Sequence, residues 1–552
     1  MASRPGGAGP AWLAFGLTLL AQLPAWWGWL ADPGGRLLDN PFTGGHVWAA
    51  DVVSDALWSG RWPDPTDQAG FPLPRQARFV GWAFLAAAAV LRPFLNANAV
   101  VHLAAWVGPA LGAAALVWFA RRLAPPGHPA LQVAGGLLFG LSPVTLGAAV
   151  SGQVENTQTW LLPLLLGLTL AAAPRPRLWL LLPPCWALGA LTSPYLAMLA
   201  ALLAPWVAWR AWKEGTRPWM AVTPLLLALA SLALVGAWLD PGAFDPERDL
   251  YRPSYVGEGW PPLWVQPLPV ADLDTLLTGR AALQVKSTVL HQPYLGLVLA
   301  PGALLLGGAR RRLAAPVVLG LLLALGPRLA WDGGPVTVGG MELVLPAQVL
   351  RWLHLPLAHG GQYYRAIVLA HLGLAAMLVA GRASGRAAFA GAPFVGAAAL
   401  CLLGPLDALR AVSQPGLPWP TVDLPRQAWQ ALAQDPLPGA VLHLPMHSPQ
   451  LRPNHPVRLA GHVVHRRALA DLPRAWTDPP ADPLLARAWS ASLATPGASP
   501  PPLADLAAAG FRYVVLDLPA IPERRSLHDR LRSAWGRPTG SADGLAWWVT
   551  GP

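Results

Sequence analysis

Long apolar runs separated by short polar connections occupy the first three quarters of the chain. They predict helices over 12–31, 99–120, 131–150, 157–173, 178–192, 194–212, 218–238, 293–309, 313–330, 363–381 and 388–409. A membrane-spanning helix takes roughly 20 apolar residues, so this pattern is expected to give about 11 transmembrane helices. A further run, 79–95, is short and ends at Arg92-Pro93; it is expected to lie in the interface or to re-enter without crossing. From Gln414 onward the pattern changes. Short β-like runs at 440–445, 513–518 and 545–550 alternate with helical patterns at 424–434, 482–494, 502–509 and 526–535. That alternation predicts a small α/β domain over 414–552, beside a membrane domain over 1–410.

The polar connections fall into two kinds. Arg121/Arg122, Arg175/Arg177, Arg210/Lys213/Arg217, Arg310/Arg311/Arg312 and Arg382/Arg386 mark one set of helix ends. Cytoplasmic loops carry the excess of Arg and Lys, and all five clusters share one side if 79–95 does not cross. The N-terminus is then cytoplasmic. The stretches 32–78, 151–156, 239–292 and 331–362 and the C-terminal domain are extracytoplasmic. The run 12–31 lacks a small-residue cleavage site and is expected to remain as the first helix.

Composition agrees with a membrane location. The chain is 54% hydrophobic and only 12% charged, against about 25% charged in soluble domains. Many of its tryptophans, among them Trp26, Trp27, Trp206 and Trp209, stand near the ends of apolar runs, where amphipathic rings prefer the interface. Lys213 and Lys286 are the only lysines, so the choice of Arg over Lys reflects coding bias and carries no functional weight. The net charge of +11 is spent on helix ends and the tail, with no aromatic-interleaved basic patch, and nucleic acid is not an expected partner. Cys185 and Cys401 lie inside apolar runs and make no disulfide framework or metal spacing.

Three polar stretches could carry chemistry. In 32–78, Asp39 follows the first helix closely. Residues 44–60 read as a surface helix bearing His46, Asp51 and Asp55, the two acids sharing a face; Asp55, Asp64 and Asp67 are expected to be solvated. The stretch 151–160 sets Gln153, Glu155, Asn156 and Gln158 between two apolar helices; amides donate and accept, which suits sugar hydroxyls, although a capping turn would use the same residues. The stretch 351–365 gathers Arg351, His354, His359, Gln362, Tyr363, Tyr364 and Arg365 before an apolar run. An arginine at a helix start opposes the helix dipole, so Arg365 calls for an anion: a phosphate, a lipid headgroup, Asp332 or Glu342. The loop 239–292 adds carboxylates and aromatics, including Tyr251, Trp260 and Trp264, a lining shared by carbohydrate clefts and ordinary interfaces.

Taken together, these residues resemble the GT-C-fold membrane glycosyltransferases, in particular bacterial members with an extracytoplasmic C-terminal domain. The resemblance rests on Asp39 after the first helix, on Leu57-Trp58-Ser59-Gly60-Arg61-Trp62-Pro63 and Ala69-Gly70-Phe71-Pro72-Leu73, on Gly152 to Asn156 before Trp160-Leu161-Leu162-Pro163-Leu164, and on the late Arg365. It covers most of 1–410 and loosely the tail. It implies a bacterial inner-membrane enzyme that moves a sugar from a polyprenyl-phosphate donor to an extracytoplasmic glycan, lipid or protein acceptor. An aspartate of the first loop would be the base, and Arg365 would hold the phosphate. His46, Gln153, Glu155, Asn156, His359, Gln362 and Tyr363 would help to bind donor or acceptor. Many members carry two adjacent acids where this chain has Asp39-Asn40, which leaves the base open between Asp39 and Asp51. A divalent cation is left open as cofactor. The rival readings are a transporter or flippase of a lipid-linked saccharide and a non-catalytic membrane scaffold; the scarcity of acids within the apolar runs disfavours the first.

Cysteine labelling or reporter fusions test the topology. They should place 122–130, 174–177, 213–217, 310–312 and 382–386 in the cytoplasm and 414–552 outside. Labelling of the C-terminal region from the cytoplasm would overturn this arrangement.

Overall fold

The computed structural model describes residues 8–40, 42–63, 81–239, 276–277, 294–326, 329–331, 334–347, 363–381, 392–412, 417–444, 455–465, 467, 469, 482–492, 499–517 and 524–551. The chain divides into two compact units. One comprises Met1–Trp27, Val80–Ala83 and Leu103–Trp419, the other Gly28–Phe79, Phe84–His102 and Pro420–Pro552.

The first unit is helical. Among the described residues, six helical spans are long and apolar enough to cross a membrane: Gly9–Leu30, Ala97–Leu123, Pro129–Val150 (interrupted between Gly140 and Pro143), Pro194–Lys213, Pro218–Val235 and Pro393–Ala411. The other apolar runs hold shorter helices, Leu161–Ala172, Leu182–Thr192, Leu299–Leu306, Arg310–Ala324 and Ile367–Val379. The shortening has local causes. Leu299–Leu306 stops at Gly307-Gly308, and Leu182–Thr192 starts late because Pro176–Leu181 before it forms a 3-10 turn.

Ile367–Val379 is buried along its whole length. An apolar helix without a polar face belongs in the centre of its unit, and this one packs on Arg310–Ala324 and Pro129–Gly140. Glycines make the approach close: a Cβ at Gly320 would stand 2.4 Å from the Ala370 amide nitrogen. Such small-residue contacts are the usual way that helices associate in an apolar medium. Hydrogen bonds also tie helices of this unit together. The Gln22 amide donates to the Trp106 carbonyl at 3.3 Å, and the Trp106 indole donates to the Leu19 carbonyl at 3.3 Å.

In the second unit, residues of the first loop are tied to the tail. Arg36–Leu38 pairs antiparallel with Thr421–Asp423. The short strand is held from behind by His102, whose Nε2 accepts from the Leu38 amide at 3.1 Å while Nδ1 faces the Asn98 carbonyl at 2.9 Å. The surface helix expected over 44–60 runs from Thr43 to Trp58. Asn40 starts it, its side-chain oxygen accepting from the amides of Phe42 (3.2 Å) and Thr43 (2.9 Å). An aspartate at position 40 could accept from the same two amides, so the capping contact does not require asparagine there. The run 79–95 yields a helix of only ten residues, Trp82–Leu91. At 1.5 Å per residue that is about 15 Å, half the hydrocarbon thickness.

The tail builds a four-stranded sheet in the order Ala440–Leu444, Phe511–Asp517, Leu545–Val549, Gly540–Ala542. The first two strands are parallel and the rest antiparallel. The last two strands meet at Asp543-Gly544, both at positive φ, the geometry of a tight primed hairpin turn. The same Asp543 carboxylate accepts from the Gln427 amide at 2.8 Å and so caps the helix Arg426–Gln434. Leu442, Val514, Leu516 and Trp548 form the core under the sheet together with Leu485, Leu506 and Leu531.

A buried arginine fastens the far end of that capped helix. Arg467 donates to the carbonyls of Leu432 (3.1 and 3.0 Å), Asp435 (2.7 Å) and Leu437 (2.7 Å) and lies 4.9 Å from the Tyr513 ring centre. It answers the carbonyls that a helix C-terminus leaves without intrahelical donors. Beside it, Asp435 accepts from the Tyr513 hydroxyl and from Arg512, which holds its carboxyl well below the usual range. Burial and that carboxylate push the Tyr513 hydroxyl up to about 12. Arg467→Ala should destabilise the tail by roughly 2–4 kcal/mol, because several buried carbonyls lose a charged donor. Hydrogen exchange on Phe511–Asp517 in the full chain measures this, and unchanged protection would contradict it.

Candidate functional site

The polar corner 151–160 is built by a glycine. The helix Pro143–Val150 ends where Gly152 turns left-handed, at φ 74°. Its amide then reaches the Ala149 carbonyl at 3.0 Å, and the next amide, Gln153, reaches Ala148 at 2.9 Å. This is a helix stop of the kind that needs glycine. The chain next makes the single turn Val154–Thr157 before Leu161–Ala172 begins.

Part of the corner is structural. Gln158 donates to the carbonyls of Ala104 (3.2 Å) and Val154 (3.1 Å) and accepts from the Trp160 indole at 2.9 Å. Gly108 makes room for it: a Cβ there would lie 2.8 Å from the Gln158 amide nitrogen and 2.9 Å from the Thr157 carbonyl oxygen. The capping role weighed from the sequence is thus filled by Gly152 and Gln158.

The remaining polar groups converge on Arg365. The Asn156 amide donates to Glu155 Oε1 at 3.0 Å and to Gln153 Oε1 at 3.1 Å. The same Gln153 oxygen accepts from Arg365 Nη2 at 2.8 Å. The guanidinium carbon lies 4.3 Å from the centre of the Tyr195 ring, a cation–π contact that strengthens where water is scarce. Ser193 completes the ring of contacts, its hydroxyl 3.4 Å from Asn156 Oδ1. Arg365 itself sits in the 3-10 turn Tyr363–Ala366, just before the buried helix Ile367–Val379, and is only 8% exposed.

A small cavity of about 20 Å³ opens among Thr145, Gln153, Asn156, Tyr195, Arg365 and Val368. That is room for about one water molecule. Its walls combine a guanidinium, two amides and a phenol ring, groups that bind an anion and hydroxyls together.

Four residues singled out in the sequence, Gln153, Glu155, Asn156 and Arg365, are therefore neighbours across more than 200 positions of chain. Tyr195 and Ser193 were not among them: a tyrosine near a helix start reads as an interface residue, and Ser-Pro reads only as a helix start. His359, Gln362 and the side chain of Tyr363 lie outside the described residues, as do Asp64, Asp67 and nearly all of loop 239–292. Among the described residues no group of three or more His, Cys, Asp or Glu side chains is arranged to hold a metal.

Asp39, His46 and Asp51 belong to the second unit, each with its own surroundings. Asp39 is solvent-accessible, and packing around it raises its carboxyl above the ordinary aspartate pKa of 3.8. His46 packs edge-on against Phe84, ring centres 5.4 Å apart. Asp51 is 5% exposed, its Oδ2 3.4 Å from His462 Nδ1 on the helix His455–His465. Asp55, expected to be solvated, is ion-paired with Arg92.

No family model matches the chain, and no curated protein does. Solved structures do. Similarity extends over 98% of this chain to the arabinofuranosyltransferase AftD from Mycobacteria, at 17% identity and a TM-score of 0.52. For a mutant of that protein, R1389S, the match covers 100% at 17% identity and a TM-score of 0.51. The chain spans only 40% and 42% of those two chains. The Archaeoglobus fulgidus oligosaccharyltransferase matches over 92% of this chain and 68% of its own, at 12% identity and a TM-score of 0.45. The chain is a polytopic helical membrane protein, and its fold is the GT-C fold of membrane glycosyltransferases.

Proposed function

We propose that the chain is a glycosyltransferase that moves a sugar from a polyprenyl-phosphate donor to an extracytoplasmic glycan, lipid or protein. The GT-C fold supports the reaction class, and the setting of Arg365 is the observation that carries the reading. A guanidinium kept in an apolar helical unit, oriented by an amide oxygen at 2.8 Å and an aromatic face at 4.3 Å, is a ready receptor for a phosphate group.

In such a transfer the acceptor hydroxyl oxygen bonds to the anomeric carbon as the bond from that carbon to the phosphate oxygen breaks. Negative charge grows on the departing phosphate, where Arg365 would stabilise it. The hydroxyl proton passes to a carboxylate. Asp39 is the better candidate for that role on its own surroundings: it is open to solvent, and its raised pKa makes it a stronger base than an ordinary aspartate. Asp51 is buried beside His462, a setting that suits a structural contact. Gln153, Glu155 and Asn156 would serve the sugar hydroxyls through the amide and carboxylate groups of the corner.

Two kinetic measurements test these roles with a prenyl-phosphate sugar as donor. Arg365→Lys keeps the charge but loses the planar fork and the stacking, and should cut the transfer rate by roughly 10-fold or more; an unchanged rate would remove Arg365 from phosphate binding. For Asp39, the carboxylate must be ionised to accept a proton, so the rate should fall as pH drops through its pKa. Because packing around the carboxyl raises that pKa, the acid limb should lie above 3.8. Asp39→Asn should abolish the limb and cost roughly 10²–10⁴-fold. Full activity of Asp39→Asn would return the role to Asp51 or end the general-base account.

A further inference from the structure

A larger cavity, about 550 Å³, lies at another set of helix ends in the first unit. Its walls come from Ala124 and Pro125 after one helix, Leu131 in a second, Leu305 and Leu306 at the end of a third, and Arg312 at the start of a fourth. The floor is tight backbone. Gly308 donates to the Met377 carbonyl at 2.8 Å, and a Cβ there would lie 2.1 Å from the Ala380 carbonyl oxygen.

The rim combines two features that water-soluble surfaces keep apart. Leu305 is 78% exposed and Phe394, beside the lining residue Pro393, is 65% exposed. Next to them, Arg310, Arg311 and Arg312 are consecutive and exposed in the first turn of Arg310–Ala324. That turn contains no acid, and no carboxylate among the described residues pairs with any of the three. Three guanidinium groups repel one another, so the charge calls for an anion, while the walls call for hydrocarbon. One molecule that supplies both is an anionic phospholipid, and basic pockets between membrane helices bind such headgroups.

We infer that this cavity binds an anionic phospholipid, with its phosphate against Arg312 and its acyl chains along Leu305 and Leu306. The site is separate from the corner around Arg365 in its lining residues and does not depend on the reaction proposed for that corner. Arg312 is placed to meet the headgroup because it alone of the three arginines lines the cavity.

Native mass spectrometry of the purified full chain tests this with phosphatidylglycerol, phosphatidylcholine of the same acyl chains, and inorganic phosphate. Phosphatidylglycerol should be retained in preference to both. Arg312→Ala should weaken its retention about fivefold, the effect of one basic residue near a headgroup. Arg217→Ala, an exposed arginine of another cluster, should leave retention unchanged. An unaltered thermal midpoint confirms that the Arg312 variant folds. Equal retention of phosphatidylcholine, equal loss in the Arg217 variant, or binding of phosphate alone as tightly as the lipid would each overturn the inference.

Discussion

The structure turns on how a buried cation is accommodated in a helical unit made almost entirely of apolar side chains. A charge moved into such surroundings costs several kcal/mol unless it is hydrogen-bonded or faces a π system. Arg365 has both, from Gln153 and Tyr195. Those two contacts constrain three separate parts of the chain. The helix Pro143–Val150 must stop at Gly152 so that Gln153 can turn inward, Pro194–Lys213 must begin where Tyr195 lies under the guanidinium, and Ile367–Val379 must start two residues after Arg365. The corner is polar because the arginine is there, and a polar corner in an apolar unit is where hydrophilic chemistry can be done.

The second unit is governed by a different requirement, that short elements be fixed by neighbours from distant sequence. Three residues, Arg36–Leu38, cannot hold a strand alone. They pair with Thr421–Asp423 and lean on His102. The helix Thr43–Trp58 likewise packs on His455–His465, with Asp51 facing His462. Asp51 is thereby engaged within its own unit.

The helical part of the fold was legible because an apolar run of twenty residues has few alternatives, and the tail because strand runs such as 513–518 alternate with amphipathic helices. Gln153, Glu155, Asn156 and Arg365 stood out for one reason: polar groups between apolar runs are costly to place. What the pattern could not show was pairing. The link between Arg36–Leu38 and the tail is too short to register as a periodic signal, the helix His455–His465 is short and rich in histidine, and nothing in Ser193-Pro194-Tyr195 marks it as the other wall of the Arg365 site. Helix lengths were also overestimated where Gly307-Gly308 interrupts the apolar pattern.

The central claim is that Arg365 receives the phosphate of a prenyl carrier. The most direct measurement is a cryo-EM structure of the full chain with a short-chain polyprenyl phosphate in a lipid nanodisc. The account predicts phosphate density within hydrogen-bonding distance of the Arg365 guanidinium, with the ring of Tyr195 still beneath it. Carrier density seated on other residues, with Arg365 still bound only by the corner, would contradict it.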